Sequence, residues 1–329
     1  MHAAAKMLRG GVAHDATRLR GQSTVEYVLL IAIIGLVVVF AGPPVAGAIR
    51  NQFSAVAGTV DAGTNGGTEA GGGSGGGSAD SGSSADLASA VSKDAANWTL
   101  DEQKAAADDI AKNGTASAVY AKAKAAMDAG TTWSVKLTND QTLQYRIIGI
   151  NHDDLADGSG KAGLTFLTTS TTISSRMNAT DTNVGGWEKS EIRQKMNSGE
   201  IWNLMPTDFQ SKVRAVTKLT NNVGGTDKNA AVTATTDKLF LLSYSEIVPD
   251  SHWASSAWTS AEGAQYEAFK GKVTNNYGSN SAINIGDLWW ERSAHPGHSA
   301  GFLFVHSNGN PSINDYATHS CCICPAFSF

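Results

Sequence analysis

Residues 57–85 cannot belong to a packed core. They are almost entirely Gly, Ser, Ala, Thr and Asp, and positions 71–78 read Gly-Gly-Gly-Ser-Gly-Gly-Gly-Ser. Such a stretch buries too little apolar surface to offset the entropy of ordering it, so it reads as a flexible linker spanning about 30 Å as a coil. The chain therefore divides into pieces that pack separately. The piece after the linker is long and carries most of the 8 Trp, 10 Phe and 7 Tyr in the 329 residues, enough for a sizeable core.

The first piece is short and basic at its head. Within residues 1–21, Lys6, Arg9, Arg18 and Arg20 face only Asp15. An apolar run from Val28 to Phe40 follows, extended by Ala41 to Ala48 and broken at Pro43-Pro44. About 20 such residues span a bilayer as a helix. An ordinary signal peptide, cut near Ala46-Gly47-Ala48, is one reading. The other starts from Glu26, because a carboxylate at the mouth of a membrane helix is expensive without a partner. Gly21, Gln22, Glu26 and Tyr27 together form a G/xxxxEY pattern that resembles the class III prepilin signal of Flp-type type IV pilins. The resemblance implies cleavage by prepilin peptidase between Gly21 and Gln22 and a retained hydrophobic pilin helix over residues 22–56. It also implies pairing of Glu26 with the new N-terminus of another pilin subunit. The inner membrane would hold the chain before assembly, and an extracellular pilus or the cell surface afterwards.

Residues 86–131 predict a small helical hairpin. Thr99-Leu100-Asp101-Glu102 has capping-box spacing, Asn113-Gly114 reads as a stop, and a second helix runs from about Thr115 to Ala129 before Gly130. From residue 132 onward short strands alternate with turns: 143–150, 164–167, 238–242, 287–293, 302–306 and 324–329, with one amphipathic helix over 190–196. The expected fold class is α+β: a long N-terminal hydrophobic pilin helix, a flexible linker, a helical hairpin, then a C-terminal domain over 132–329.

That last domain carries the most specific pattern. Gly185-Gly186-Trp187, then Trp289-Trp290-Glu291-Arg292-Ser293, then Pro325-Ala326-Phe327 occur in order, preceded by Asn151-His152-Asp153. Together they resemble bacterial surface and phage domains with a C-type-lectin-like fold. The resemblance implies that Trp290, Arg292, Phe302, Phe304 and Phe327 are framework residues. Between these anchors the sequence loses its hydrophobic period. His295, His298, Ser299, His306, Asn308, Asn310, Ser312, Asn314, Asp315, Tyr316, Thr318, His319, Ser320, Cys321 and Cys322 crowd there. Asn, Asp, His, Tyr, Ser, Thr, Ile and Cys are all reached from AAC by replacing adenines. The segment thus resembles the variable region of proteins diversified by retroelements. That resemblance implies a ligand-binding surface for an unknown extracellular protein or glycan, and a pilus-associated adhesin or minor pilin. Loops are polar in any case, which is the plainer reading.

Other chemistry is poorly supported. A formal net charge of −5 does not advertise nucleic-acid binding. Three cysteines are too few for a disulfide scaffold, and Cys321, Cys322 and Cys324 are too tightly spaced to wrap zinc. Asp153, Asp154 and Asp157 do not match a calcium loop, and Asp157-Gly158-Ser159-Gly160 reads as a turn. No phosphate-binding loop, dinucleotide fingerprint or hydrolase elbow occurs. No catalytic residue, metal or cofactor is expected, and the chain does not read as an enzyme. The alternative is a membrane-anchored extracytoplasmic enzyme of formylglycine-generating-like fold that uses the cysteines.

Overall fold

Helix starts and stops follow from local chemistry. In the computed structural model the described residues are 78–249, 259, 261–274 and 278–329. Helix α1, Ser78–Ser92, begins inside the stretch read as linker. Helix α2, Leu100–Asn113, opens on the expected capping box: Thr99 Oγ1 accepts from Glu102 N–H, while Glu102 accepts from Thr99 N–H. Helix α3, Tyr120–Ala129, ends at Gly130 with φ 67°, the left-handed conformation that glycine adopts without strain. The expected two-helix hairpin is thus a three-helix collar. It is tied to the domain by Trp133 Nε1 donating to Ala95 O at 3.1 Å and Tyr145 Oη donating to Gln103 Oε1 at 3.1 Å.

Two five-stranded sheets carry the rest. The first has the order β1–β2–β3–β12–β7, with β1 Thr132–Lys136, β2 Thr142–Ile150, β3 Leu164–Thr168, β12 Ala326–Ser328 and β7 Leu239–Phe240. Its core face stacks aromatics. Phe166 and Phe327 lie 5.2 Å apart, and Tyr145, Phe209 and Phe329 close around them. Each fully buried aromatic of this kind stabilises the fold by about 2–3 kcal/mol.

The second sheet has the order β10–β9–β8–β11–β4, with β10 Ile313–Tyr316, β9 Gly301–Val305, β8 Trp289–Ala294, β11 Cys321–Cys322 and β4 Ser174–Ser175. Between β4 and the next strand in sequence come short helices α4 Glu191–Asn197, α5 Glu200–Leu204 and α6 Thr207–Lys212. A separate hairpin joins β5 Val216–Asn221 to β6 Val232–Asp237, and α7 Tyr244–Ile247 follows. The buried side chains of collar and sheets form one continuous core, and the described residues belong to one compact unit. Trp290, Arg292, Phe302, Phe304 and Phe327 are all buried within it.

The described fold is α+β, but the expected fold class needs correction. No helix of the described residues is long and apolar enough to cross a membrane. Residues 22–56, on which the hydrophobic pilin helix was expected, lie outside the described residues, as do Gly21, Gln22, Glu26 and Tyr27.

Candidate functional site: a ring-lined face at one end of the second sheet

Strand β10 is an edge strand whose exposure alternates. Asn314 and Tyr316 are exposed, while Ile313 and Asp315 are half-buried. It pairs antiparallel with β9, placing Tyr316 opposite Gly301. The turn after Tyr316 returns tightly: Ala317 N–H donates to Ala300 O, and His319 N–H donates to Tyr316 O. His319 Nδ1 then reaches Asp315 Oδ1 at 2.6 Å. On the other side, His295 N–H donates to Gly301 O, closing the β8–β9 turn over His298. The result is a row of rings. His295 and His298 are 6.2 Å apart, His298 and Tyr316 5.6 Å, and Tyr316 and His319 5.7 Å, each pair edge to face.

Two further loops frame this row, and one buried side chain holds them. Asn183 is fully buried. Its Nδ2 donates to His298 O at 2.8 Å and Gly301 O at 2.7 Å, and its Oδ1 accepts from Gly225 N–H at 2.8 Å. Asn183 N–H also donates to Ser299 O. Close packing demands glycine here. A Cβ on Gly186 would lie 2.1 Å from Asn221 O, and one on Gly224 would lie 1.9 Å from Asn183 O. The loops so drawn together expose Val184 and Val223, at 63% and 47%, beside the row in which Tyr316 is 47% exposed. Gly185 N–H donating to Val223 O links the two valine loops directly.

The fifteen residues expected to form one surface do not all do so. His295, His298, Ser299, Asn314, Asp315, Tyr316, Thr318, His319 and Ser320 gather at this end of β9 and β10, with Thr318 held by Asp181. His306 and Asn308 sit at the opposite end, about 16 Å away by the rise of a five-residue strand. Asn310, Ser312, Cys321 and Cys322 are buried, so they are corrected from surface to framework. Asn310 Oδ1 accepts from Ser312 N–H, Ser312 Oγ meets Tyr244 Oη, and the two cysteines pair as β11 with β4. Val184 and Val223 escaped the sequence reading because an apolar residue in isolation reads as core.

Thiol chemistry at neutral pH is disfavoured. Cys321, Cys322 and Cys324 are free and buried. Burial, reinforced by Asp315, pushes the Cys321 thiol up to about 12, and burial raises Cys322 and Cys324 too. A protonated thiol is neither nucleophile nor metal ligand. Among the described residues no group of three or more His, Cys, Asp or Glu is placed to hold a metal ion.

A second polar assembly is built from residues outside the 295–322 segment. Lys218 Nζ contacts Asp153 Oδ1 at 2.6 Å and Glu246 Oε1 at 2.5 Å, and Arg292 Nη1 contacts Glu246 Oε2 at 2.5 Å. Burial opposes ionisation of Asp153 and Glu246, but these cations outweigh it and hold both carboxyls below their ordinary range. A cleft of about 430 Å³ opens onto this assembly. At its rim His152 Nδ1 meets Glu267 Oε2 at 3.1 Å, and the ring of His152 stacks on Tyr266. Despite burial, the hydrogen bond from His152 draws the Glu267 carboxyl down to about 2. Sequence reasoning missed this assembly, because its members are scattered from residue 153 to residue 292.

No curated protein and no solved structure matches the chain. A family model does, over residues 162–329, a span that takes in both the framework strands and the ring-lined face. The chain belongs to the DUF6273 family, a domain of unknown function.

Proposed function

We propose that this chain is a cell-surface adhesin whose folded head, residues 78–329, binds an extracellular protein or glycan through the ring-lined face. The supporting observation is the division of labour around Asn183. One fully buried amide fixes three loops, and beside it Val184, Val223 and Tyr316 stand exposed. Loops held by a rigid scaffold are where binding residues concentrate. Tyr316 offers rigid amphipathic area, and Asn314, Ser299 and Ser320 offer adaptable hydrogen bonding, the mixture that antibody loops use. The likeness of the segment to retroelement-diversified receptors supports the same reading. The prepilin-like pattern at Gly21, Gln22, Glu26 and Tyr27 supports export, processing by prepilin peptidase and association with pilin subunits.

The test is direct. The head and its Tyr316→Ala/His298→Ala variant are screened in parallel against glycan and protein arrays. The reading expects a ligand captured by the parent and lost by the folded variant. Capture that survives the double substitution would place binding elsewhere. N-terminal sequencing of the secreted protein tests the export half: a mature N-terminus other than Gln22 overturns processing by prepilin peptidase.

A further inference from the structure

The face is connected to the buried charges of the second assembly. Asn221, at the end of β5, has its N–H donating to Glu262 Oε1 at 2.8 Å, while its Oδ1 accepts from Val223 N–H and Gly224 N–H at 3.1 Å. The next amide, Gly225 N–H, donates to Asn183 Oδ1, and Asn183 Nδ2 donates to His298 O and Gly301 O. An unbroken chain of hydrogen bonds therefore runs from the Glu262 carboxyl to the β8–β9 turn that carries His298. Glu262, Asn221 and Asn183 are each at least 99% buried.

Charge balance sets the state of Glu262. Among the described residues, the groups facing it are Arg292, Ser293 and Glu291 from β8, Glu246 from α7 and Asn221 from β5, while Lys218, Asp153, Asp154, His152, Glu267 and Lys270 line the same cleft. Lys218 and Arg292 supply two positive charges, and Asp153 and Glu246 already neutralise them. A third carboxylate is surplus. Glu291 is fully buried, and neither of its oxygens has a hydrogen-bond partner among the described residues, so it stays protonated. Glu262 differs, because it has partners for both oxygens: Asn221 N–H on one and Ser293 Oγ on the other. Burial raises it to about 7, with Arg292 pulling the other way. Among the described buried carboxyls of this assembly it is therefore the one placed to change charge near neutrality.

We infer that Glu262 is a pH-responsive latch for the binding face. Neutral, it accepts from Asn221 N–H without burying a charge, and so anchors the 221–225 loop and, through Asn183, the 298–301 turn. Ionised, it draws Asn221 N–H and Ser293 Oγ more strongly, but the burial of a charge that no free cation balances outweighs those bonds and favours opening of the loops. The inference rests on the proposed binding role only in calling these loops a face, since the latch itself is a property of the free protein.

Linkage gives the sign and the window. In the open form Glu262 returns toward its ordinary 4.5, whereas closed it titrates at about 7. Opening thus becomes more favourable by up to tenfold per pH unit between those values, then levels off. Amide hydrogen exchange, corrected for intrinsic rates, should show protection of residues 221–225 and 298–301 falling between pH 5 and pH 7 and flat to pH 8.5. The isosteric Glu262→Gln keeps an acceptor for Asn221 N–H and a donor for Ser293, so protection should stay high across the range. The histidines of the face are present in both proteins, and the difference between the two profiles isolates Glu262. Identical pH profiles for the two proteins overturn the latch. Carboxyl-carbon NMR of the unsubstituted protein gives an independent reading, and a Glu262 midpoint near 4.5 overturns it as well. Neither measurement uses a ligand. A failed latch leaves the array screen standing, and a failed screen leaves the exchange result standing.

Discussion

Strands β8 and β10 belong to the same sheet with only β9 between them, yet they treat their side chains in opposite ways. Every residue of β8, Trp-Trp-Glu-Arg-Ser-Ala, is buried, whereas β10, Ile-Asn-Asp-Tyr, alternates between half-buried and exposed. Position in the sheet decides this. β8 is the third strand of five and is covered on both faces, so even its charged residues must find internal partners or give up their charge. β10 is the edge, and its outward residues Asn314 and Tyr316 face the solvent, Tyr316 beside the rings of His298 and His319. A sheet built this way confines tolerance for change to one margin.

The contrast is broken most severely from the β8 side. Arg292→Ala removes the guanidinium that bonds Leu241 O, Leu219 O, Glu262 O and Glu246, leaving Glu246 short of a partner. A loss of about 3–5 kcal/mol is expected, read by denaturant unfolding, or failure to fold. Asn183→Ala strands the Gly225 N–H and the His298 carbonyl and leaves Gly301 O with His295 N–H alone, with an expected cost of about 1–3 kcal/mol and faster amide exchange in all three loops.

Stability against pH sharpens the comparison further. Glu262 and Glu291 have folded values raised above 4.5, so they favour the native state less as pH rises from that point. Asp153 and Glu246 are lowered, so their contribution is lost as pH falls. Thermal unfolding should therefore show a stability maximum near pH 5, about the point where these opposing slopes meet. Glu291→Gln should raise the midpoint more at pH 8 than at pH 5, and an equal change at both would show that Glu291 is not the buried acid described. The smallest stability effect belongs to the edge: Tyr316→Ala should shift unfolding by no more than about 0.5 kcal/mol while abolishing capture of a ligand.

Local rules were readable wherever the cause was local. The Thr99–Glu102 box and the Gly130 stop lie within four residues of what they determine, and the helix expected over 190–196 runs Glu191–Asn197 with Ser190 as its cap. The framework aromatics were readable because large apolar residues in alternation have few alternatives to a core. The β5–β6 hairpin was not, since Val-Thr-Lys-Leu-Thr-Asn and Val-Thr-Ala-Thr-Thr-Asp show no strong apolar face, and Lys218 reads as exposed. Its burial depends on Asp153 and Glu246, which only the folded chain brings to it. The candidate site was half legible. The polar crowding after β8 located the segment, but the turn at either end of β9 splits it. A polar composition says nothing about which of two ends a residue occupies.

The place of β12 bears on which sequences of residues 295–320 end in a folded chain. This strand is synthesised after the whole of residues 295–320, yet it sits inside the first sheet between β3 and β7, contributing Phe327 to the aromatic stack. A stop codon or a frame slip anywhere in residues 295–320 deletes it and leaves Phe166 and Leu239 facing water. Altered residues at the edge leave it intact. The fold thus audits its own reading frame: only a face translated in register to Phe327 comes with the strand that closes the core beneath it.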